Sequence, residues 1–389
     1  MRELRQIAAV TLLSLRSMPQ RLGSSLVIVV GMAAVVAVVI TVLSMSSGFL
    51  QSVNKTGRAD RAIVTSSGAV TESLSSLSHD AIRVIMDAPG VKHSIDGKAL
   101  VSADIFAYQP VTKRSDGLFI PATLHGVGPE VFALLPQIKM VSGRMFKPGL
   151  HEMIVGRMMQ SELDGLQVGR TIPLPEGDWS IVGSFESDAD QHESELLGDA
   201  ETLMAAVRRT SFNSATVMLE SPEVFDMFKD ALTTNPAVSV DVTREDVYFA
   251  KLSKPLNDFL TLVAYAVGGI MGLGAVFGAL NTMYSAVSAR TVEIATLRAI
   301  GFGAGAIVIS VFAEALVLTL IGTALGAGLA WLLFSGIVVV SDYYIYTLVV
   351  KPSLITLGVL LAMATGILGG LFPALRAANL PVATALRGL

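Results

Sequence analysis

The chain has 389 residues, 52% of them hydrophobic and 15% charged, with a formal net charge of -4 and a mean hydropathy of +0.62. That is too apolar for one water-soluble globule of this size, so part of the surface must face lipid. The absence of cysteine is compatible with a large domain in an oxidising compartment.

Leu4, Ile7, Ala8, Thr11, Leu12 and Leu15 recur at helical spacing ahead of Pro19, with Arg2, Arg5 and Arg16 beside them. The pattern predicts an amphipathic helix on the membrane surface, over residues 1–23, with a solvated leader as the alternative. An uncharged run follows from Ser24 to Ser46. About 20 apolar residues cross the ~30 Å of hydrocarbon, so this is a span, and it is too long for the core of a cleaved secretory signal. Further runs cover Phe259 to Val287, Ala304 to Val340 and Leu354 to Leu375, interrupted by a single acidic residue, Glu314. The expected layout is a membrane α-helical protein with spans at 24–47, 256–287, 304–336 and 354–375, a short outer loop at 337–353 and a tail at 376–389. The third run exceeds one span, so it is expected to begin below the membrane surface or to bend near Gly322, Gly326 and Gly328.

An α+β domain is expected between the first and second spans, over residues 48–255. Arg61 to Ser66 predicts a strand, HDAIRVIMDAPG a short helix, and Pro222 to Leu232 a second helix capped by Ser221. Between them, EMIVG, TIPL and WSIVGSF mark a β-rich lobe over about 119–200. TREDVYFAKLSKP then predicts a helix capped by Thr243 that leads into the second span, as a transmitting stalk or a passive connector.

The motifs of soluble catalysis are missing. No GxxxxGK[ST] loop or GxSxG elbow occurs, and His151 with Glu152 lacks the second histidine of a zinc-protease helix. His192, Glu193 and Glu195 lie in an acidic stretch, Glu186 to Glu201, that reads as a solvated loop with cation binding as the alternative. His79, His93 and His125 have no ligand spacing, so no metal ligands are assigned. In the spans, Gly268 with Gly272, Gly274 with Gly278, Gly322 with Gly326, and Gly366 with Gly370 are four positions apart and mark close helix packing or a dimer face. Glu314 is costly in hydrocarbon, so it is either a functional residue or a structural hydrogen-bonding one.

Eight cationic residues, Arg2, Arg5, Arg16, Arg21, Arg290, Arg298, Arg376 and Arg387, share one side of a four-span layout. Six, Lys55, Arg58, Arg61, Lys251, Lys254 and Lys351, lie on the other. The excess places both termini in the cytoplasm. Between the second and third spans, SARTVEIATLRAIG (within 288–303) is amphipathic, as a helix docking onto a soluble partner would be, with an ordinary interfacial loop as the alternative.

The arginine–EI–LRAIG pattern, the closing FPALRAANLPVATALRGL, and LHGVGPEVFAL, GRMFKPGLHEMIVG, LQVGRTIPL and WSIVGSFES in the outer region resemble the MacB/FtsX-like permeases of ABC transport systems, with their MacB-like periplasmic core domain. The resemblance covers nearly the whole chain. It implies a multi-pass inner-membrane permease, not itself an enzyme, that works as a homodimer with a separate cytoplasmic ATPase holding the ATP and Mg. A periplasmic adaptor and an outer-membrane channel are further implied partners, alongside membrane lipid and no nucleic acid. By the same resemblance Arg290, Glu293, Ile294, Leu297 and Arg298 contact the ATPase, and Pro373, Arg376, Pro381 and Arg387 lie at the same face. The sequence shows no fused ATPase domain of the MacB type. The implied function is mechanotransmission: ATP-driven movement of the outer domain for export or extraction of a hydrophobic, lipidated or periplasmic substrate. The alternative is an FtsX-like signalling permease that regulates a periplasmic enzyme.

Overall fold

The computed structural model describes residues 6–8, 10–12, 22–341 and 345–379. Residues 6–8 and 10–12 are helical; the rest of the surface helix expected before Pro19 lies outside the described residues, as do Pro381 and Arg387. Two compact units result. The membrane unit comprises residues up to Ser47, Asp258–Gly336 and those from Val349; the outer unit comprises Gly48–Asn257 and Ile337–Leu348.

Among the described residues four helices are long and apolar enough to cross a membrane: α1 (Leu22–Thr56), α7 (Glu245–Ala289), α9 (Ala304–Phe334) and α10 (Pro352–Ala378). A short α8 (Thr291–Ala299) lies between α7 and α9. Within the membrane unit α9 and α10 pack along each other, and their small residues set how closely. A Cβ on Gly322 would lie 2.6 Å from the Val29 carbonyl oxygen, and one on Gly326 2.4 Å from that of Ala33. Helix α1 and helix α9 therefore touch backbone to backbone. Of the most apolar window of α7 only 11% is buried within the chain, against 50% in α1, which leaves Leu262, Ile270 and Phe277 for lipid or another chain.

The outer unit is built on a ten-stranded sheet of order β10-β1-β9-β2-β3-β8-β5-β7-β4, with β6 beside β7. The strands that matter for the site are β1 (Arg61–Ser66), β2 (Val101–Thr112), β3 (Phe119–Val127), β8 (Glu195–Asp199), β9 (Ser214–Met218) and β10 (Val240–Arg244). The remainder are β4 (Lys139–Gly143), β5 (Glu152–Gly156), β6 (Thr171–Leu174) and β7 (Gly177–Glu186). Short helices α2 (His79–Met86), α3 (Val131–Leu134), α4 (Arg157–Glu162), α5 (Ala200–Ala206) and α6 (Phe225–Thr233) cover the sheet. Trp179, Phe185 and Phe228 are fully buried in its cores.

Several local expectations change in three dimensions. Ser221 makes no capping bond with its side chain, because the segment opens as a 3-10 turn (Pro222–Val224) before α6. Thr243 sits in β10 opposite Ile63, so α7 begins two residues later, at Glu245 with Asp246 in its first turn, acidic groups that suit a helix N-terminus. The third apolar run does not stay helical: α9 ends at Phe334, and β11 (Val338–Val340) pairs with β12 (Ile345–Thr347) in the outer unit. Its surplus residues are β-branched valines, which favour a strand.

Candidate functional site

In β2 the sequence VSADIFAY alternates. Val101, Ala103 and Ile105 enter the core, while Ser102, Asp104, Phe106 and Tyr108 line a cavity of about 400 Å³ on the other face. Register carries that face across the sheet. Phe106 stands opposite His125 on β3, and parallel pairing sets Thr123 opposite Glu195 on β8. Thr123 and His125 are two residues apart, so both point the same way, and Glu195 joins them. The Phe106 and His125 rings stack with centroids 4.3 Å apart.

His192 arrives from the 3-10 turn Gln191–Ser194. Its own N–H donates to Asp190 Oδ1 at 3.0 Å, while Glu193 accepts the N–H groups of Ser187 at 3.1 Å and Ala189 at 2.9 Å. Asp188 and Ala189 take φ of 49° and 55° to make this turn. The acidic stretch is therefore not the solvated loop expected: His192, Glu193, Ser194 and Glu195 are all buried. It is held from below by Gly156, where a Cβ would sit 2.1 Å from the Glu193 carbonyl oxygen.

His125 Nδ1 lies 2.8 Å and His192 Nδ1 3.3 Å from the same oxygen, Glu195 Oε2. Asp104 Oδ1 is 3.5 Å from His125 Nε2 and is fixed by Ser102 Oγ at 2.5 Å, with Thr216 Oγ1 2.6 Å from its other oxygen. Burial by itself lowers the His125 pKa, but the Glu195 and Asp104 carboxylates outweigh it and push it up to about 10. Burial raises Glu195, and His125 with His192 overcome that, holding it down to about 2. His192 is raised too, burial being outweighed by Asp190 and Glu195. At the cavity wall, loss of water pushes Glu72 up to about 7 against its hydrogen bond from Ser214. His125, His192 and Glu195 each bring a potential metal-ligating atom to within 4.8 Å of the others.

A second feature of the outer unit is the fully buried Arg61 at the start of β1. Its guanidinium donates to Glu245 Oε2 at 2.7 Å, to the Thr56 carbonyl at 2.7 Å and to the Leu134 carbonyl at 2.9 Å. The end of α1, the end of α3 and the start of α7 thus share one side chain.

In the membrane unit Arg290 joins Glu314 at 3.1 Å and Glu293 at 3.1 Å. Arg298 Nη1 donates to the Ala378 carbonyl at 2.7 Å, so α8 is tied to the end of α10. Ile294 is buried and Leu297 half-buried, while Glu293 is exposed. Pro373 is buried within α10, and the Arg376 guanidinium lies over the Tyr284 ring, 5.4 Å from its centroid. Gly366 and Gly370 face Thr319 and Ala315 of α9, Gly268 faces Val39, and Gly272 faces Thr365, whereas a Cβ at Gly274 or Gly278 would meet nothing within 4 Å.

Four candidate spans among the described residues, a helix held between the second and third, and an inserted α+β unit define a multi-pass membrane protein with a large non-membrane domain. Comparison with known families narrows this. The FtsX-like permease C-terminal model matches residues 265–382, and the MacB-like periplasmic core domain model matches residues 24–235. The chain belongs to the MacB/FtsX-like ABC transporter permeases. It is similar to the uncharacterized ABC transporter permease YvrN of Bacillus subtilis (24% identity, covering 96% of this chain and 96% of that protein). The uncharacterized permease YknZ of the same organism is 24% identical, covering 68% of this chain and 70% of that one. Among solved structures, the periplasmic region of MacB from Actinobacillus actinomycetemcomitans aligns at 11% identity with a TM-score of 0.38, covering 52% of this chain and 97% of that one.

Proposed function

We propose that this permease works as a homodimer in the inner membrane, with both termini in the cytoplasm, and that a separate ATPase engages α8. Each cycle of ATP binding and hydrolysis moves the outer domain by mechanotransmission, driving export or extraction of a hydrophobic, lipidated or periplasmic substrate. The observation that carries the reading is the anchoring of α8. Arg290 to Glu314 ties it to α9, and Arg298 to the Ala378 carbonyl ties it to α10. A push on such a helix is passed to the spans instead of being absorbed by a loop. Charge and apolar surface on one short helix also suit docking to a soluble protein.

The test is co-purification of the tagged chain in mild detergent, followed by an ATPase assay on the complex. A P-loop ATPase in equal amount is expected. Glu293→Lys, at an exposed position, should weaken its recovery and uncouple hydrolysis from outer-domain movement severalfold while the chain stays folded. Recovery without an ATPase, or coupling unchanged in this variant, overturns the reading. A co-purifying adaptor would extend the machine towards an outer-membrane channel, whereas a periplasmic cell-wall enzyme would mark the signalling class.

A further inference from the structure

We propose that His125, His192 and Glu195 form a three-ligand site for a divalent transition cation of the zinc type, on the wall of the outer-domain cavity, with Asp104 as the positioning carboxylate behind His125. The site is drawn from outer-unit residues alone and stands independently of the ATPase reading.

The residues come from β3, the 3-10 turn and β8, and the strand register and the Glu193-braced turn direct them to one point. Their ligating atoms lie within 4.8 Å of one another. Tetrahedral zinc binds nitrogen and oxygen at ~2.0–2.2 Å and so holds its ligands about 3.4 Å apart. Two of the separations, 2.8 Å and 3.3 Å, are already near that value.

Hydrogen bonding alone serves this cluster poorly. Two imidazole nitrogens compete for a single carboxylate oxygen, His125 Nε2 reaches Asp104 only at 3.5 Å, and His192 Nε2 is buried without a hydrogen-bond partner. Buried polar atoms are ordinarily satisfied. A cation among the three releases to solvent the protons that the imidazoles share with Glu195 and then uses both Nδ1 lone pairs and the carboxylate together. Behind the site, Asp104 Oδ1 at 3.5 Å from His125 Nε2, itself fixed by Ser102 and Thr216, is the carboxylate–histidine–metal arrangement that sets ring orientation and ligand basicity.

Two imidazoles and one carboxylate select zinc-type ions over calcium or magnesium, which take oxygen donors. The chain contains no cysteine to offer a thiolate competitor. Three protein ligands leave a coordination position open. The same three residues line the cavity of about 400 Å³, together with Phe106, Tyr248 and Phe249. That position therefore takes water or an oxygen donor of a molecule lodged against the aromatic wall.

The test uses the full-length protein in detergent, stripped with chelator and titrated with Zn²⁺, with binding read by calorimetry and elemental analysis. One zinc per chain is expected, and Co²⁺ should give the visible absorption of a four- or five-coordinate site. His192→Gln and Glu195→Gln should lose that stoichiometric binding. Asp104→Asn should weaken it by about 10–100-fold, and His93→Gln should leave it intact. Substoichiometric uptake by the wild-type chain overturns the proposal whatever the variants do. So does unchanged binding in His192→Gln, or equal affinity for Mg²⁺ or Ca²⁺.

Discussion

The Nε of Arg61 donates to Oε2 of Glu245 across 2.7 Å, with side-chain exposures of 0% and 3%. The same carboxylate oxygen accepts the Arg58 N–H at 2.8 Å. Removing one partner of a buried pair strands the other charge away from water, at a cost of about 3–5 kcal/mol. Arg61→Ala and Glu245→Ala are each expected to lower the Tm of the outer unit by roughly 10 °C. Arg61→Met with Glu245→Leu should cost less than either single change, since no buried charge remains. Thermal unfolding of the purified chain followed by tryptophan fluorescence, with Trp179 in the core, reads both; a double variant as unstable as the sum contradicts the pairing.

Stability of the metal-free outer unit should depend on pH in a defined window. His125 is raised from its ordinary 6.5 to about 10, so its contribution is complete below 6.5 and is lost as pH rises through about 10. Glu195 is lowered from 4.5 to about 2, so its contribution is complete above 4.5 and is lost as pH falls through about 2. Both are present in full between about 4.5 and 6.5. The groups facing them are Asp104 on β2, Glu72 at the cavity wall, and Asp190 and His192 on the turn. A Tm series in chelator should fall on the alkaline side, and His125→Gln should flatten that limb. An equally steep limb in the variant assigns it elsewhere.

Gly156 makes room for the Glu193 carbonyl where a Cβ would lie at 2.1 Å. Gly156→Ala must displace the turn that carries His192, at a cost of about 1–3 kcal/mol. Accessibility of a cysteine introduced at Gln191 should rise in this background, and unchanged labelling would show that the turn tolerates the methyl group.

Arg290 and Glu314, 3.1 Å apart, connect α8 to α9. A double-mutant cycle with alanine, read by unfolding in detergent, should return a coupling energy of about 0.5–3 kcal/mol. Additive losses would mean that the pair does not act as a unit.

The glycines divide into two sets. Gly326→Leu should destabilise the folded chain, because the side chain meets the Ala33 backbone. A Cβ at Gly274 or Gly278 would meet nothing within 4 Å, so Gly274→Leu and Gly278→Leu should leave the stability of the monomer unchanged and weaken the proposed dimer. Crosslinking at fixed concentration separates the outcomes, and loss of monomer stability in the second set would place those glycines inside the chain.

Legibility in the sequence followed the range of the interactions. Residues with a local signature could be read directly: the apolar runs now seen as α1, α7, α9 and α10, the short helix now seen as His79–Met86, and the Arg61–Ser66 strand. Caps set by the surrounding chain could not. Thr243 looked like a helix start but was claimed by pairing with Ile63. The cavity was missed because His125 and Glu195 are 70 positions apart, although the alternation of Ser102, Asp104, Phe106 and Tyr108 against Val101, Ala103 and Ile105 was a usable sign of a strand with one polar face.

What the sequence by itself determined was the division into lipid-facing helices and an inserted water-facing domain, since hydrocarbon imposes length and apolarity on each span separately. Its motifs also carried the resemblance to the MacB/FtsX-like permeases, because they are contiguous. Only the tertiary structure decided that Arg61 would be buried against Glu245, that α8 would be tied to α9 and α10, and that a histidine from β3 would meet a histidine and a glutamate from an apparent surface loop. Those meetings depend on strand register and helix packing, where the free energy of each contact is settled by residues far away in the chain, so no local pattern records them.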